Sequence, residues 1–352
     1  MGLPCGIYST DYGRDTAIIR TKAQWGLIIT FIALLFTLPL YVTDEYILNI
    51  INMACIILVS VLGLNILTGY CGQISIAQSA FMAVGAYTSG LLAVKLSLPF
   101  WICLPVAGLM AGVVGLLFGL PSLRLSGFYL VMASLAAQFI IIFLAIHLVG
   151  LTGGTRGLKV PSPHLSFIVF ESDRSWYFLI ITITCMMVFI ATGLVRAKFG
   201  RAFIAIRDNE LAAESMGISL FQYKLLAFFI GCSFAGIAGS MWAHYISFVH
   251  PEQFSLMDSI WQLGMIIVGG MGSITGSIFG VLFIKGLEVS SRDFLSPWIA
   301  TYFPSLGATV AQAMGQIVFG LAIVAFLIFE PRGLNHRWEI LKSYYQRWPF
   351  SY

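Results

Sequence analysis

Few residues in this 352-residue sequence are arranged to do covalent chemistry. The five histidines, His147, His164, His244, His250 and His336, are scattered along the chain. The six cysteines, Cys5, Cys55, Cys71, Cys103, Cys185 and Cys232, form no CxxC pair, so neither a zinc site nor a disulfide framework is expected. No Gly-Lys dipeptide occurs, which removes a P-loop, and neither HExxH nor GxSxG is present. No catalytic residue, metal or cofactor is expected. What remains is uncharged hydrogen-bonding chemistry in apolar surroundings. Asn49, Asn52 and Asn65 fall in one apolar run, and Gln73, Ser75, Gln78 and Ser79 open the next. Side chains of this kind cannot face lipid without losing their partners, so they face other helices or a wet pathway. Two roles stay open for them: the wall of a pathway for a polar solute, or hydrogen bonds that hold helices together.

Glycine marks the same region. Gly69-Tyr-Cys-Gly72-Gln-Ile-Ser75 echoes Gly269-Gly-Met-Gly272-Ser-Ile-Thr275, and each joins the end of one apolar run to the start of the next. Glycine permits close backbone approach and a break in a helix at a polar cavity. The echo reads either as an internal repeat or as two similar tight turns. Gly69, Gly72, Gly269 and Gly272 join Asn52, Asn65, Gln73, Ser75, Gln78 and Ser79 as pathway candidates.

A second constellation is polar and charged. Between residues 196 and 222 the chain carries Gly200, Arg201, Arg207, Asp208, Glu210, Ala212, Ala213, Glu214 and Gly217. Asp208 and Glu210 suit the positive N-terminal end of a helix. Leu211, Ala212, Ser215 and Met216 follow at near-helical spacing, and Gly217 is a natural stop. Such a helix either seats in a groove of a soluble partner or lies at the headgroups beside Arg201 and Arg207.

The elements that must position these residues are membrane spans. Hydrophobic residues make up 59% of the chain, charged residues 10%, and mean hydropathy is +0.92. A soluble domain carries about 25% charged residues, so the bilayer is the solvent. The expected fold is all-α and polytopic, with about ten spans near 24–42, 46–68, 74–95, 100–119, 127–149, 176–195, 223–247, 258–271, 274–290 and 308–329. The eighth and ninth are short and glycine-broken, so eight spans plus a re-entrant pair is the alternative. With the N-terminus inside, thirteen of the nineteen Lys and Arg residues fall on the inner side, and both termini are cytoplasmic. No cleavable signal precedes the first run, which starts near Trp25. The organisation is then a cytoplasmic segment 1–23, a transmembrane domain 24–330 with an outer loop 150–175 and an inner loop 196–222, and an interfacial tail 331–352 rich in basic and aromatic residues. The basic residues form no cluster of the kind nucleic acid requires. Within the spans, Lys285 and Glu288 stand three apart and can pair. Ion-coupled transporters normally keep ionisable groups at membrane depth, so the energy for transport is expected from elsewhere.

Four stretches carry a resemblance. Leu64-Asn-Ile-Leu-Thr-Gly69-Tyr-Cys-Gly72-Gln-Ile-Ser75-Ile-Ala-Gln78-Ser-Ala-Phe-Met-Ala-Val-Gly85-Ala-Tyr87 resembles the hallmark of branched-chain amino acid ABC permeases of the LivM type. Pro121-Ser-Leu-Arg124-Leu-Ser-Gly127-Phe-Tyr129 is similar to the segment that opens that family's next span, the run from Gly200-Arg201 to Gly217-Ile218 to its coupling loop, and Ile267-Val-Gly-Gly-Met-Gly272-Ser-Ile-Thr-Gly276 to its late glycine turn. The resemblance implies a bacterial inner-membrane subunit that forms half of a pathway for leucine, isoleucine and valine. Its implied partners are a second homologous permease, two cytoplasmic ATP-binding subunits that dock on the inner loop, and a periplasmic or extracellular substrate-binding protein. Many members carry His where this chain has Gln78, a departure that admits urea, short amides or other amino acids as the solute if that side chain faces the pathway. An ion-coupled secondary transporter is the more remote alternative.

Overall fold

In a computed structural model, the described residues are 22–41, 44–120, 127–161, 172–291 and 333–347, with short pieces at 164–165 and 168–169 and scattered positions between 293 and 330. The segment 1–21, the stretch Pro121–Ser126 and most of the 308–329 span lie outside them.

Twelve labels suffice for the helices. They are α1 Lys22–Tyr41, α2 Glu45–Leu64, α3 Gln78–Lys95, α4 Phe100–Gly119, α5 Phe128–His147 and α6 Asp173–Arg196, then α7 Lys198–Asp208, α8 Glu210–Ser215, α9 Leu220–Ile246, α10 Leu256–Gly269, α11 Ile274–Ser290 and α12 Leu334–Arg347. The apolar runs become helices because a helix satisfies every backbone group without water. Among the described residues, α2 with its extension to Tyr70, α4, α5, α6 and α9 are each long and apolar enough to cross a membrane, and the bent pair α10–α11 brings the number to six. The chain is a multi-pass membrane protein. Short strands depart from the all-α expectation: Leu158–Lys159 (β1) pairs antiparallel with Phe248–Val249 (β4), and His164–Leu165 (β2) with Ile168–Val169 (β3). The first pair ties the loop after α5 to the loop after α9.

The hub is α9, which packs against α2, α3 and α4. Small residues let it do so. A Cβ at Gly85 of α3 would stand 2.2 Å from the Gly236 carbonyl of α9, so the two backbones touch. Van der Waals packing of this kind replaces the hydrophobic driving force that lipid does not provide. Exposed Leu, Ile, Phe and Met side chains on α4, α5 and α6 face outward, as lipid or a partner requires.

The chain breaks its helices at two places. At the end of α2, residues Asn65–Tyr70 wind as a π-helix, the local form often found at functional sites. The chain then runs without regular structure from Gly72 to Ala77 and restarts as α3. The 74–95 span therefore begins four residues later than hydropathy suggests, because apolar Ile74 to Ala77 spend their length as connector. The second break is the 118° bend between Pro251–Gly269 and α11. Neither arm is long enough to cross alone: 14 residues rise about 21 Å and 17 about 26 Å, against a hydrocarbon core of about 30 Å.

Candidate functional site

The two glycine turns that echo in sequence are packed on each other. A Cβ on Gly69 would lie 2.5 Å from the Gly272 backbone nitrogen and 2.0 Å from Asn65 Oδ1. Gly72 and Gly272, at equivalent places in the echo, share the same left-handed backbone with φ of +74° and +76°. Only glycine takes that conformation without a Cβ penalty. Asn65 fastens the pair. Its Nδ2 donates to the Ser273 carbonyl and to Ser277 Oγ, both at 2.8 Å, and its Oδ1 accepts the Gly272 N–H at 2.9 Å. The asparagine is fully buried, so each of these bonds replaces one that water would have made. Gly269 serves the hairpin itself, since its Cβ would stand 2.0 Å from the Gly276 carbonyl.

A second joint lies inside the bundle, halfway along α5. There the N-terminal ends of α3 and α10 meet, one arriving from the connector at 72–77 and the other from the loop at 247–255. The Ser79 N–H donates to Ser259 Oγ (2.9 Å), the Ser79 hydroxyl donates to the Ser255 carbonyl (2.7 Å), and Gln138 Oε1 accepts the Ala80 N–H at 3.2 Å. Gln138 Nε2 donates to the Phe254 carbonyl at 3.0 Å. First-turn N–H groups lack helical partners, and here side chains of other helices supply them. Close by, Gln78 Nε2 donates to the Ser60 carbonyl (2.9 Å) and the Gly231 carbonyl (3.3 Å), while Ser60 Oγ donates to Gln262 Oε1 at 2.7 Å.

The ten pathway candidates thus fall into two joints, the connector between them and one outlier. Gly69, Gly72, Gly269, Gly272 and Asn65 form the turn pair. Gln78 and Ser79 form the bundle joint. Ser75 and Gln73 sit buried on the connector between the joints, where the Gln73 carbonyl accepts from Thr68 Oγ1. Asn52 stands apart, in the N-terminal half of α2, where its Nδ2 donates to the Asp173 carbonyl at 3.2 Å. Among the described residues, three buried acceptors, Asn52 Oδ1, Gln73 Oε1 and Gln78 Oε1, have no donor.

Sequence reasoning missed Gln138, Ser259 and Gln262. The signal was there for Gln138, the lone amide in the apolar run Phe128–Ile146. It also missed a buried relay near the outer side. Ser240 Oγ donates to Ser89 Oγ (2.8 Å), which lies 2.9 Å from His244 Nε2, while His244 Nδ1 lies 3.1 Å from the Pro161 carbonyl. This histidine ties α3 and α9 to the outer loop.

The inner loop is two helices, with a break where one was expected to begin. Asp208 ends α7, and Asn209 caps α8 by accepting the Ala212 N–H at 3.0 Å. Asn209 takes an extended backbone with an acceptor side chain, which suits a cap better than Asp208 placed one residue earlier. Gly217, at φ +82°, turns the chain as α8 ends, and the Ile218 N–H reaches back to the Ala213 carbonyl. Of the nine loop residues, Gly200 lies in the first turn of α7, where a Cβ would meet the Val195 carbonyl of α6 at 1.9 Å. Arg201 is exposed, and Ala213 is buried beneath α8 while Ala212 and Glu214 face out. Glu210 pairs with Lys224 at 2.7 Å, and that lysine is buried at the start of α9, a third ionisable group within the spans beside the Lys285–Glu288 pair. The Arg207 side chain stays 38% exposed, and its Nη1 donates to the Gly69 carbonyl at 3.0 Å. Burial pushes the Cys71 thiol beside them up to about 12, so it stays protonated and is no nucleophile at neutral pH. Among the described residues, no group of His, Cys, Asp and Glu is placed to hold a metal.

Residues 46–327 match the family model described as branched-chain amino acid transport system, permease component. The chain is 32% identical over 310 residues to the high-affinity branched-chain amino acid transport system permease protein LivM of Escherichia coli (strain K12), a match covering 81% of this chain and 69% of that one. The LivM protein of Salmonella typhimurium (strain LT2) matches to the same extent. A probable LivM permease of Methanocaldococcus jannaschii is 25% identical over 233 residues, covering 65% of this chain and 66% of its own. No solved structure matches. The matched range takes in α2 through α11 with both joints and the inner loop, and the chain belongs to the family of branched-chain amino acid transport permeases.

Proposed function

We propose that this chain is the permease subunit of an ABC importer in the bacterial inner membrane and forms half of the pathway for leucine, isoleucine and valine. A second homologous permease supplies the other half, two cytoplasmic ATP-binding subunits drive the cycle, and a binding protein delivers the solute from outside. The observation that carries the reading is the identity to LivM across four-fifths of the chain. The sparse charge of the spans agrees with it: among the described residues Lys224 is paired with Glu210, and Lys285 with Glu288.

The reading gives both termini to the inner side and makes α10–α11 a re-entrant pair that enters from the outer loop, since neither arm alone reaches across. The pathway candidates are mostly fasteners between helices in this conformation. The three orphan acceptors are where a solute ammonium or water finds its place when the joints loosen, and Gln78 is among them.

The inner loop is the ATPase dock. Leu211 and Met216, 79% and 85% exposed, stand on the outer face of α8, while Ala213 anchors its underside. Large apolar side chains that neither the bundle nor lipid covers fit a groove on a soluble partner. Leu211→Asp with Met216→Asp is expected to reduce copurification of the ATPase subunits about tenfold or more, with expression unchanged. Undiminished copurification sinks the docking assignment. The importer itself is tested by uptake of labelled leucine into proteoliposomes holding this chain, the second permease, both ATPase subunits and the binding protein. Uptake by this chain alone under a sodium or pH gradient overturns the reading.

A further inference from the structure

Arg207 belongs to the inner loop by sequence but not by its contacts. Its guanidinium is held at two edges. Nε and Nη2 lie 3.1 and 2.9 Å from Asp208 Oδ1 on the loop side, and Nη1 donates to the Gly69 carbonyl at 3.0 Å on the membrane side. That carbonyl is at the end of the π-helix, where backbone acceptors lack helical partners. Glycine crowds the arginine from both turns. A Cβ on Gly72 would be 3.0 Å from Arg207 Cγ, and one on Gly272 would be 2.9 Å from Nη1. The side chain therefore fills the notch where the two turns meet. Because Asn65 ties the Gly69 turn to Gly272 and Ser273, a displacement of Arg207 moves both turns together.

We propose that Arg207 is the positioning residue of the coupling step, a strut that converts movement of the inner loop into movement of the paired glycine turns. It does not itself bind the ATPase. The proposal rests on the docking role of the loop given above. Guanidinium suits the task because its planar fork is oriented at both edges at once, whereas a lysine offers a single point of charge. The loop has a second fastening, the Glu210–Lys224 pair, which holds α8 to the start of α9. Loss of Arg207 thus leaves the loop seated but disconnected from the turns.

The experiment uses the full importer in proteoliposomes with its binding protein and labelled leucine, and compares the wild type with Arg207→Met, Arg207→Lys and Asp208→Asn. Each sample is read for copurified ATPase, for ATP hydrolysed and for leucine taken up. Arg207→Met is expected to retain the ATPase within about twofold and to raise ATP consumed per leucine at least about fivefold. Arg207→Lys should recover part of that ratio, and Asp208→Asn, an exposed change that cannot unfold the bundle, should raise it by about twofold. A ratio unchanged in both Arg207→Met and Asp208→Asn overturns the strut. Loss of ATPase in proportion to lost uptake also overturns it, since Arg207 is then a docking contact. Absence of ATPase from the wild-type preparation instead refutes the docking role, and the strut falls with it.

Discussion

Gly69→Ala is expected to abolish uptake, by about tenfold or more, while the chain still reaches the membrane. A methyl group there lands 2.0 Å from Asn65 Oδ1 and 2.5 Å from the Gly272 nitrogen. Neither neighbour can step aside cheaply. One belongs to a buried side chain with three hydrogen bonds, and the other is backbone in a turn whose φ is fixed at +76°. The α10–α11 turn must lift away, and Asn65 then loses the bonds that replaced its hydration, at about 1–3 kcal/mol for each buried group left alone. Gly193→Ala is the matched control. Gly193 lies within α6 and a Cβ there meets nothing within 4 Å, so uptake should stay near the wild-type level. Equal uptake by both variants refutes the packing of one turn on the other.

Gln138→Leu carries the next largest effect. The amide serves the Ala80 N–H, the Phe254 carbonyl and the hydroxyls of Ser79 and Ser259. Leucine has nearly the same volume, so the change isolates the polar contribution. The two stranded backbone groups are deeply buried and cost about 3 kcal/mol or more together. The thermal midpoint of the purified permease in detergent is expected to fall by about 5 °C, and uptake with it. Ser134→Ala, which removes one bond to the Ile76 N–H from the same helix, should shift the midpoint less. A midpoint unmoved by Gln138→Leu means that the joint is not held by this network.

Hydropathy made the spans legible because a lipid-facing helix must be apolar over its whole length. The limits of α4 and of α11 are those that the run of apolar residues indicates. Position within the membrane was harder to read. Ile74 to Ala77 look like helix and are connector, because an irregular backbone finds partners in protein, as the Ile76 N–H does in Ser134 Oγ, that lipid cannot give. The glycine echo gave the two turns but not their contact, since nothing in one sequence says that residues two hundred apart touch. A basic residue in a polar loop reads as a surface group, and Arg207 is indeed exposed, but its bond to the Gly69 carbonyl leaves no trace in its neighbours along the chain. The candidates Asn65, Gln78 and Ser79 stood out because polar groups in apolar runs always need partners. Which partners they have is a matter of helix rotation, and one sequence carries no signal for that.

The short arms of α10 and α11 also bear on how the protein is made. Neither arm can hold itself across the hydrocarbon, so the hairpin depends on a cradle built from earlier residues: Ser60, Asn65, Ser79 and Gln138. All of these leave the ribosome long before Ser259 does. The order of synthesis is thus the order of dependence, and the bent pair α10–α11 settles after the residues that cradle it. The full-length chain should protect the hairpin from protease when Asn65 and Gln138 are intact and expose it when both are replaced by leucine.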